Sequence, residues 1–415
     1  MIAVIGALDT KADEYQFLVH EVMARGHEVA VIDFGPFSKA DAQASSPGVR
    51  YVGPAEVAAA AGVQLDALTS GGNRSLALEA MAIGVGKVLL DLGGQLDGVI
   101  GAGGSGTTVV VTRAMRTVNF RCPLVIVSTV ASVDIGRYIE GLACTVMNPV
   151  VDVSGLNSIT RPLLESAASA VCAMAGHVVD LTVGRQERVG ISMFGITTPG
   201  VDHARRVLEG AGLEVFVFHA NNRGGSSLEM LVREGVITAV LDMTTTEMAD
   251  AVVGGCLPAA AHRFRTCGSL GLPQVVSLGA LDVVNFESMD TVPVDFQDRR
   301  LLAHTPEVTL MRTTKSECSL IGEELMRRLN ESTSEVTVFL PHGGLSTLSV
   351  PQGPFYDPEA DLALIESVIA AASPAVRLVH MDGSINDPQV AEAMATCLLQ
   401  QLERTSTNTK REENE

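Results

Sequence analysis

The sequence predicts an α/β protein of two domains, each a doubly wound, mainly parallel sheet. Three observations predict it. The chain has 415 residues, enough for two domains of ordinary size. Short apolar strands alternate with helical stretches, the pattern of parallel sheets covered by helices on both faces. The alternation pauses once, around residues 173–186, and then restarts.

The elements follow in order. Ile2–Gly6 reads as a strand, Ala7 to Lys11 as a loop, and Asp13 to about Arg25 as a helix with Phe17, Leu18, Val22 and Met23 on one face. Strand Glu28–Asp33, a helix from Ser75 to Leu92 and strand Asp97–Gly101 come next. A glycine loop then opens a helix at Thr107, and strand Pro123–Val127 ends at Ser128-Thr129. A helix over Leu163–Ala175 closes this half, and the first domain is set at 1–180. The second, 187–403, contains strands Val189–Phe194, Glu214–His219, Ile237–Asp242, Gln274–Ser277 and Val336–Leu340. From Arg404 to Glu415 no apolar residue occurs, so a frayed, disordered tail is expected.

Composition excludes several function classes. A net charge of −19 repels nucleic acid and anionic membranes. Trp is absent and only 4 Tyr are present, so base-stacking platforms are not expected. No apolar run reaches the roughly 20 residues of a spanning helix. The 7 cysteines are scattered without zinc spacing, as buried thiols in a reducing compartment would be. The chain begins directly with a strand rather than a basic, cleavable leader, so a cytoplasmic location is expected.

In open parallel sheets ligands sit beyond the carboxyl ends of the strands. That rule selects Asp9-Thr10-Lys11, Gly103 to Thr108, and Ser128-Thr129. The run GAGGSGTT, Gly101 to Thr108, is the strongest signal. Its glycines let backbone N–H groups converge, and the helix after it adds a positive dipole end. Gly103, Gly104, Ser105, Gly106 and Thr107 can thus hold a di- or triphosphate. The same residues also fit a tight turn whose Ser or Thr caps the helix. The run lacks the Gly-Lys-Ser/Thr ending of the P-loop, so a lysine must come from elsewhere, and Lys11 is the candidate against a solvated surface lysine. Asp9 can hold Mg²⁺ through water. Asp33 fits either a ribose hydroxyl or a turn cap. The first turn, GALDTKAD, is not GxGxxG, which disfavours a nicotinamide site.

In the second half, Thr244-Thr245-Thr246-Glu247 reads equally as an anion pocket and as a capping box. His219, Glu247 and Asp282 are candidate acid/base groups, with Asn285 and His304 beside them. HExxH and GxSxG signatures are absent from the sequence.

These loops, taken together, resemble one family. LDTK (8–11), GAGGSGTT, TRAMR (112–116), VSTVAS (127–132), VVDVSGLNSI (150–159), MFGITTP (193–199), VFHA (217–220), LDMTTTE (241–247), GALDVVNF (279–286), TLMRTT (309–314), FYDPEAD (355–361) and INDP (385–388) are similar to the Tm-1-like ATP-binding family, also catalogued as UPF0261. Its plant members carry a further C-terminal barrel and block tobamovirus RNA replication. The resemblance implies two Rossmann-like domains, ATP with Mg²⁺ on the first, and a homodimer. It implies contacts from Thr10, Lys11 and the glycine loop Gly103 to Thr107; Arg74, Ser128 and Thr129 are further cofactor-binding candidates. Asn73-Arg74-Ser75 stands where the family has Asp-Arg-Gly, Thr107 replaces a glycine, and Ser384 replaces a histidine. The expected function is use of ATP on a small polar substrate in the cleft between the domains. The alternative is a non-catalytic, nucleotide-dependent protein-binding module.

Overall fold

The computed structural model describes residues 1–38, 47–70, 73–133, 135–176 and 187–412, with side chains through 405 in the last segment. It divides into two compact units, Met1–Asp180 and Leu181–Glu415. The stretch where the sequence pattern pauses lies largely at 177–186, outside the described residues.

The first unit runs β1 (Ile2–Gly6), α1 (Leu8–Ala24), β2 (Val29–Asp33), β3 (Val49–Val52), α2 (Pro54–Ala60), α3 (Leu65–Ser70) and α4 (Arg74–Leu92). It continues with β4 (Gly98–Gly103), α5 (Ser105–Met115), β5 (Leu124–Ser128), α6 (Gly136–Ile139), β6 (Cys144–Met147) and α7 (Thr160–Ala175). Its six strands lie in the order β3-β2-β1-β4-β5-β6, and every pairing is parallel. Alternate residues of each strand feed opposite cores. Ala3, Ile5, Ala30 and Ile32 pack towards α2, α4 and α5. Ile2, Val4, Val29 and Val31 pack towards α1 and α7. Sheets buried on both faces need such continuous apolar strands.

The second unit runs β7 (Arg188–Met193), α8 (Thr198–Gly210), β8 (Glu214–His219), α9 (Arg223–Arg233), β9 (Ala239–Asp242), α10 (Thr246–Val253), α11 (Thr266–Ser269) and β10 (Gln274–Ser277). Then come β11 (Val283–Phe286), β12 (Leu301–Thr305), β13 (Val308–Arg312), α12 (Lys315–Leu329), β14 (Val336–Pro341), α13 (Pro358–Ala371), β15 (Val376–Met381) and α14 (Pro388–Glu412). Six parallel strands lie in the order β15-β14-β10-β9-β7-β8. A three-stranded antiparallel sheet, β11-β13-β12, accompanies them. Both units are therefore doubly wound and Rossmann-like.

Three expectations change. Asp9, Thr10 and Lys11 are not a loop but the first turn of α1, which breaks at Lys11 (φ −138°, ψ 36°). The helix after the glycine loop starts at Ser105, two residues before Thr107. The last helix continues past Arg404 to Glu412, where a frayed tail was expected; residues 413–415 lie outside the described residues.

Candidate functional site

The first sheet reverses strand order between β1 and β4, and a cavity of about 560 Å³ opens beyond the carboxyl ends of these strands. Three helices begin around it: α1 after β1, α5 after β4, and α4. Tyr15 fixes the first of these. Its hydroxyl donates to the Ala102 carbonyl at 2.6 Å and accepts from the Ala102 N–H. The ring crosses Gly6, where a Cβ would lie 2.1 Å from Tyr15 Cζ. Only a glycine lets α1 seat this closely on the sheet.

The polar wall holds Thr10, Lys11, Arg74 and the run Gly104 to Thr107; the apolar wall is Phe34, Phe37, Leu68, Leu78 and Met81. Gly104 is the N-cap of α5 and offers no side-chain bond. The Thr108 N–H donates to the Gly104 carbonyl, while the amides of Ser105, Gly106 and Thr107 meet no acceptor among the described residues. A Cβ at Gly104 would find its nearest neighbour, Thr129 Oγ1, at 3.8 Å, so open space lies before that amide. Arg74 stands opposite, its Nη2 3.6 Å from where a Gly106 Cβ would be. Arg74 is exposed and has no ion pair among the described residues. Unbonded helix-start amides with a nearby guanidinium are chemically able to hold an anion.

The other first-unit candidates are placed differently. Lys11 lines the cavity, but its ammonium donates to the Val153 carbonyl. Asp9 also lines it and accepts from the Phe37 N–H at 3.3 Å, which ties the β2–β3 connection to α1. Gly103 ends β4; a Cβ there would press on Thr107 at 2.6 Å. Ser128 is sealed from solvent, bonded to Thr108 Oγ1 at 2.6 Å and to the Val130 N–H. Ser128 thus lies outside the cavity lining and supports the glycine loop through Thr108. Thr129 is half-buried beside Gly104 and outside the lining. Asp33 accepts from the Leu8 and Gly35 N–H groups and the Tyr51 hydroxyl, so it is a turn cap. Among the described residues no three His, Cys, Asp or Glu side chains gather as metal ligands. Asp9 is the carboxylate among the residues that line the cavity.

In the second unit the residues expected to act are largely engaged with protein. Thr244, Thr245, Thr246 and Glu247 are all fully buried. Thr244 Oγ1 is 2.6 Å from Thr197 Oγ1, and the Thr244 N–H donates to Ser192 Oγ. Glu247 accepts from Arg263 Nε at 2.9 Å and from the Asn222 N–H. It is neither an anion pocket nor a capping box, for α10 has no side-chain cap. Burial raises the Glu247 pKa against the pull of Arg263. Asp282 is buried, accepts the Ser346 hydroxyl at 2.6 Å, and has its pKa raised by burial. Asn285 donates to Thr246 Oγ1 and Asp250 Oδ1. His219 is exposed, packs on Phe194 at 5.1 Å between centroids, and has its pKa lowered by partial burial. His304 is exposed on β12.

Comparison with known proteins bears on this arrangement. Two family models cover the chain: Uncharacterised protein family (UPF0261) N-terminal domain over 1–180, and its C-terminal domain over 186–402. The chain belongs to the Tm-1-like UPF0261 family. A UPF0261 protein of Clostridium tetani is 38% identical over 97% of this chain and 99% of its own. The tomato (Solanum lycopersicum) ToMV resistance protein Tm-1(GCR237) is 38% identical over 74% of this chain, but that match spans 42% of the tomato protein. The solved LpCGTa–UDP complex aligns at 14% identity and TM-score 0.22 over 97% of this chain and 93% of that one, too distant to carry an argument.

Sequence reasoning missed several residues of this UPF0261 site. Phe37 is 70% exposed beside the cavity, and an exposed aromatic at a cavity mouth is a signal that one sequence does not display. Glu14 and Tyr15 read as ordinary helix positions. Their partners, Gly155 and Ala102, lie 141 and 87 residues away.

Proposed function

We propose that the first unit binds ATP with Mg²⁺ in the cavity between α1, α4 and α5. The single observation that carries this reading is the set of unbonded amides at Ser105, Gly106 and Thr107, with Arg74 facing them without an ion pair among the described residues. A polyphosphate supplies what these groups lack. The apolar wall from Phe34 to Met81 suits a base. Asp9 would hold the metal through water, and Mg²⁺ would neutralise phosphate charge.

Use of the nucleotide on a small polar substrate is the leading extension, with exposed His219 as the group free to act. Burial of Glu247 and Asp282 in internal bonds favours the second reading, a nucleotide-dependent protein-binding module. Free thiols at all 7 cysteines support a reducing, cytoplasmic setting. No helix among the described residues is long and apolar enough to cross a membrane. A homodimer belongs to the proposal on the strength of the family resemblance.

Calorimetric titration with ATP·Mg²⁺ and, separately, NAD tests the reading. Binding of ATP in preference to NAD is expected. Preference for NAD, or heat from neither, overturns it. ADP, AMP or pyrophosphate released with a metabolite panel separates the enzyme from the binding module.

A further inference from the structure

Lys11 lines the cavity, and its ammonium is held by the protein. Its backbone leaves the helical region in the first turn of α1, and its Nζ donates to the carbonyl of Val153, in the segment between β6 and α7. That segment is anchored on three sides. The Val153 side chain is fully buried in the core beneath α7. The Gly155 carbonyl accepts from Thr160 Oγ1 at 2.8 Å. The Gly155 N–H donates to Glu14 Oε1. Gly155 has φ +75°, a left-handed turn that suits glycine and aims its N–H at α1. Glu14 lies one helical turn beyond Lys11 and is 4% exposed.

We propose that Glu14 is a positioning residue for Lys11, acting through Gly155 and the Val153 carbonyl rather than touching ligand. This rests on the reading of the cavity as a phosphate site. A lysine ammonium carries three donors. One is engaged by Val153, which leaves two for an anion. Holding the flexible side chain in one place before the ligand arrives reduces the ordering cost of binding. Glu14 therefore sets the phosphate term of affinity and leaves the base term alone.

The test is a double-mutant cycle with two ligands, ATP·Mg²⁺ and adenosine, titrated against the whole chain. Lys11→Ala weakens ATP about tenfold. Glu14→Met, which keeps the side-chain volume, weakens ATP by a similar factor and leaves adenosine within about twofold. Glu14→Gln keeps an acceptor for the Gly155 N–H and restores ATP affinity. In the Lys11→Ala background Glu14→Met has no further effect. Thr160→Val loosens the same segment from its other side and repeats the selective loss, which keeps the test open where Glu14→Met fails to fold. Equal losses for ATP and adenosine, or additive losses with Lys11→Ala, overturn the proposal. Wild-type protein that binds no ATP removes the phosphate reading itself, and that result appears in the first titration, before any variant.

Discussion

Both sheets reverse strand order once, between β1 and β4 in the first unit and between β7 and β9 in the second. The same kind of reversal leads to opposite outcomes. At β1/β4 the loops end in small residues, and the amides of α5 face a cavity. At β7/β9 the corresponding loops carry Thr197 and Thr244, which bond each other at 2.6 Å and are fully buried. Neighbouring turns interlock around them. The Thr245 N–H donates to the Gly279 carbonyl, the Ala280 N–H to Leu345, and the Thr347 N–H to Ile196. A switch point is therefore a place where a ligand can bind, and side-chain satisfaction decides whether it is open.

The comparison breaks first at Arg263. This residue is 1% exposed and bonds Asp242, Glu247 and Glu229. It links β9, α10 and α9 behind the closed switch point. Arg263→Met leaves three buried carboxylates without their cation, and losing one partner of such a pair costs about 3–5 kcal/mol. Thermal unfolding should show a large drop in the second unit's Tm. A shift of a degree or two would mean that the closed edge does not depend on this cation.

Glycine substitutions sharpen the comparison with a somewhat smaller effect. Gly104→Val adds a branched side chain in front of the α5 amides, where the nearest atom to a Cβ is 3.8 Å away. ATP affinity should fall at least 100-fold, about 2.7 kcal/mol, with Tm unchanged. In the second unit a Cβ at Gly279 would lie 2.1 Å from the Met243 carbonyl. Gly279→Ala should therefore lower Tm and leave ATP binding intact. If Gly104→Val destabilises the fold without changing affinity, the first loop is only a turn.

How much of this was legible in sequence depends on where each residue's partner sits. Strands such as Ile2–Gly6 and Gln274–Ser277 announce themselves because both faces are buried. Val49–Val52 and Cys144–Met147 do not, for they are short, partly exposed edge strands. The first turn of α1 was hidden because Ala7 makes no side-chain cap. The glycine loop was readable because its chemistry is backbone chemistry, written in the glycines themselves. The meaning of Thr244 to Glu247 was not. Glu247 is decided by Arg263, from a segment with no periodic pattern, and Thr244 by Thr197, 47 residues earlier. Capping, ligand binding and internal bonding use the same residue types, so only the partner tells them apart.

The smallest effect lies in the support behind Arg263. On α12, Glu324 accepts from Arg327 and Arg328, and Arg328 Nη1 donates to the Ala260 carbonyl at 2.8 Å, in the segment that leads to Arg263. The bond from Arg327, reinforced by Arg328 and opposed by slight burial, lowers the Glu324 pKa from 4.5 to about 2. A carboxyl depressed in the folded state contributes stability above its unfolded pKa and loses it as pH falls through the folded one. The relevant window is therefore pH 4.5 down to about 2. Glu324 is half-buried at the edge of the protein, with 25% of its side chain exposed, so solvent screening reduces the contribution to about 0.5–1 kcal/mol. Glu324→Gln should lower stability by that amount at pH 7, and the difference from wild type should vanish near pH 2. Denaturant titrations at the two pH values would measure it. A difference of several kcal/mol would make this surface pair part of the buried Arg263 network, and the boundary drawn here between the two would be wrong.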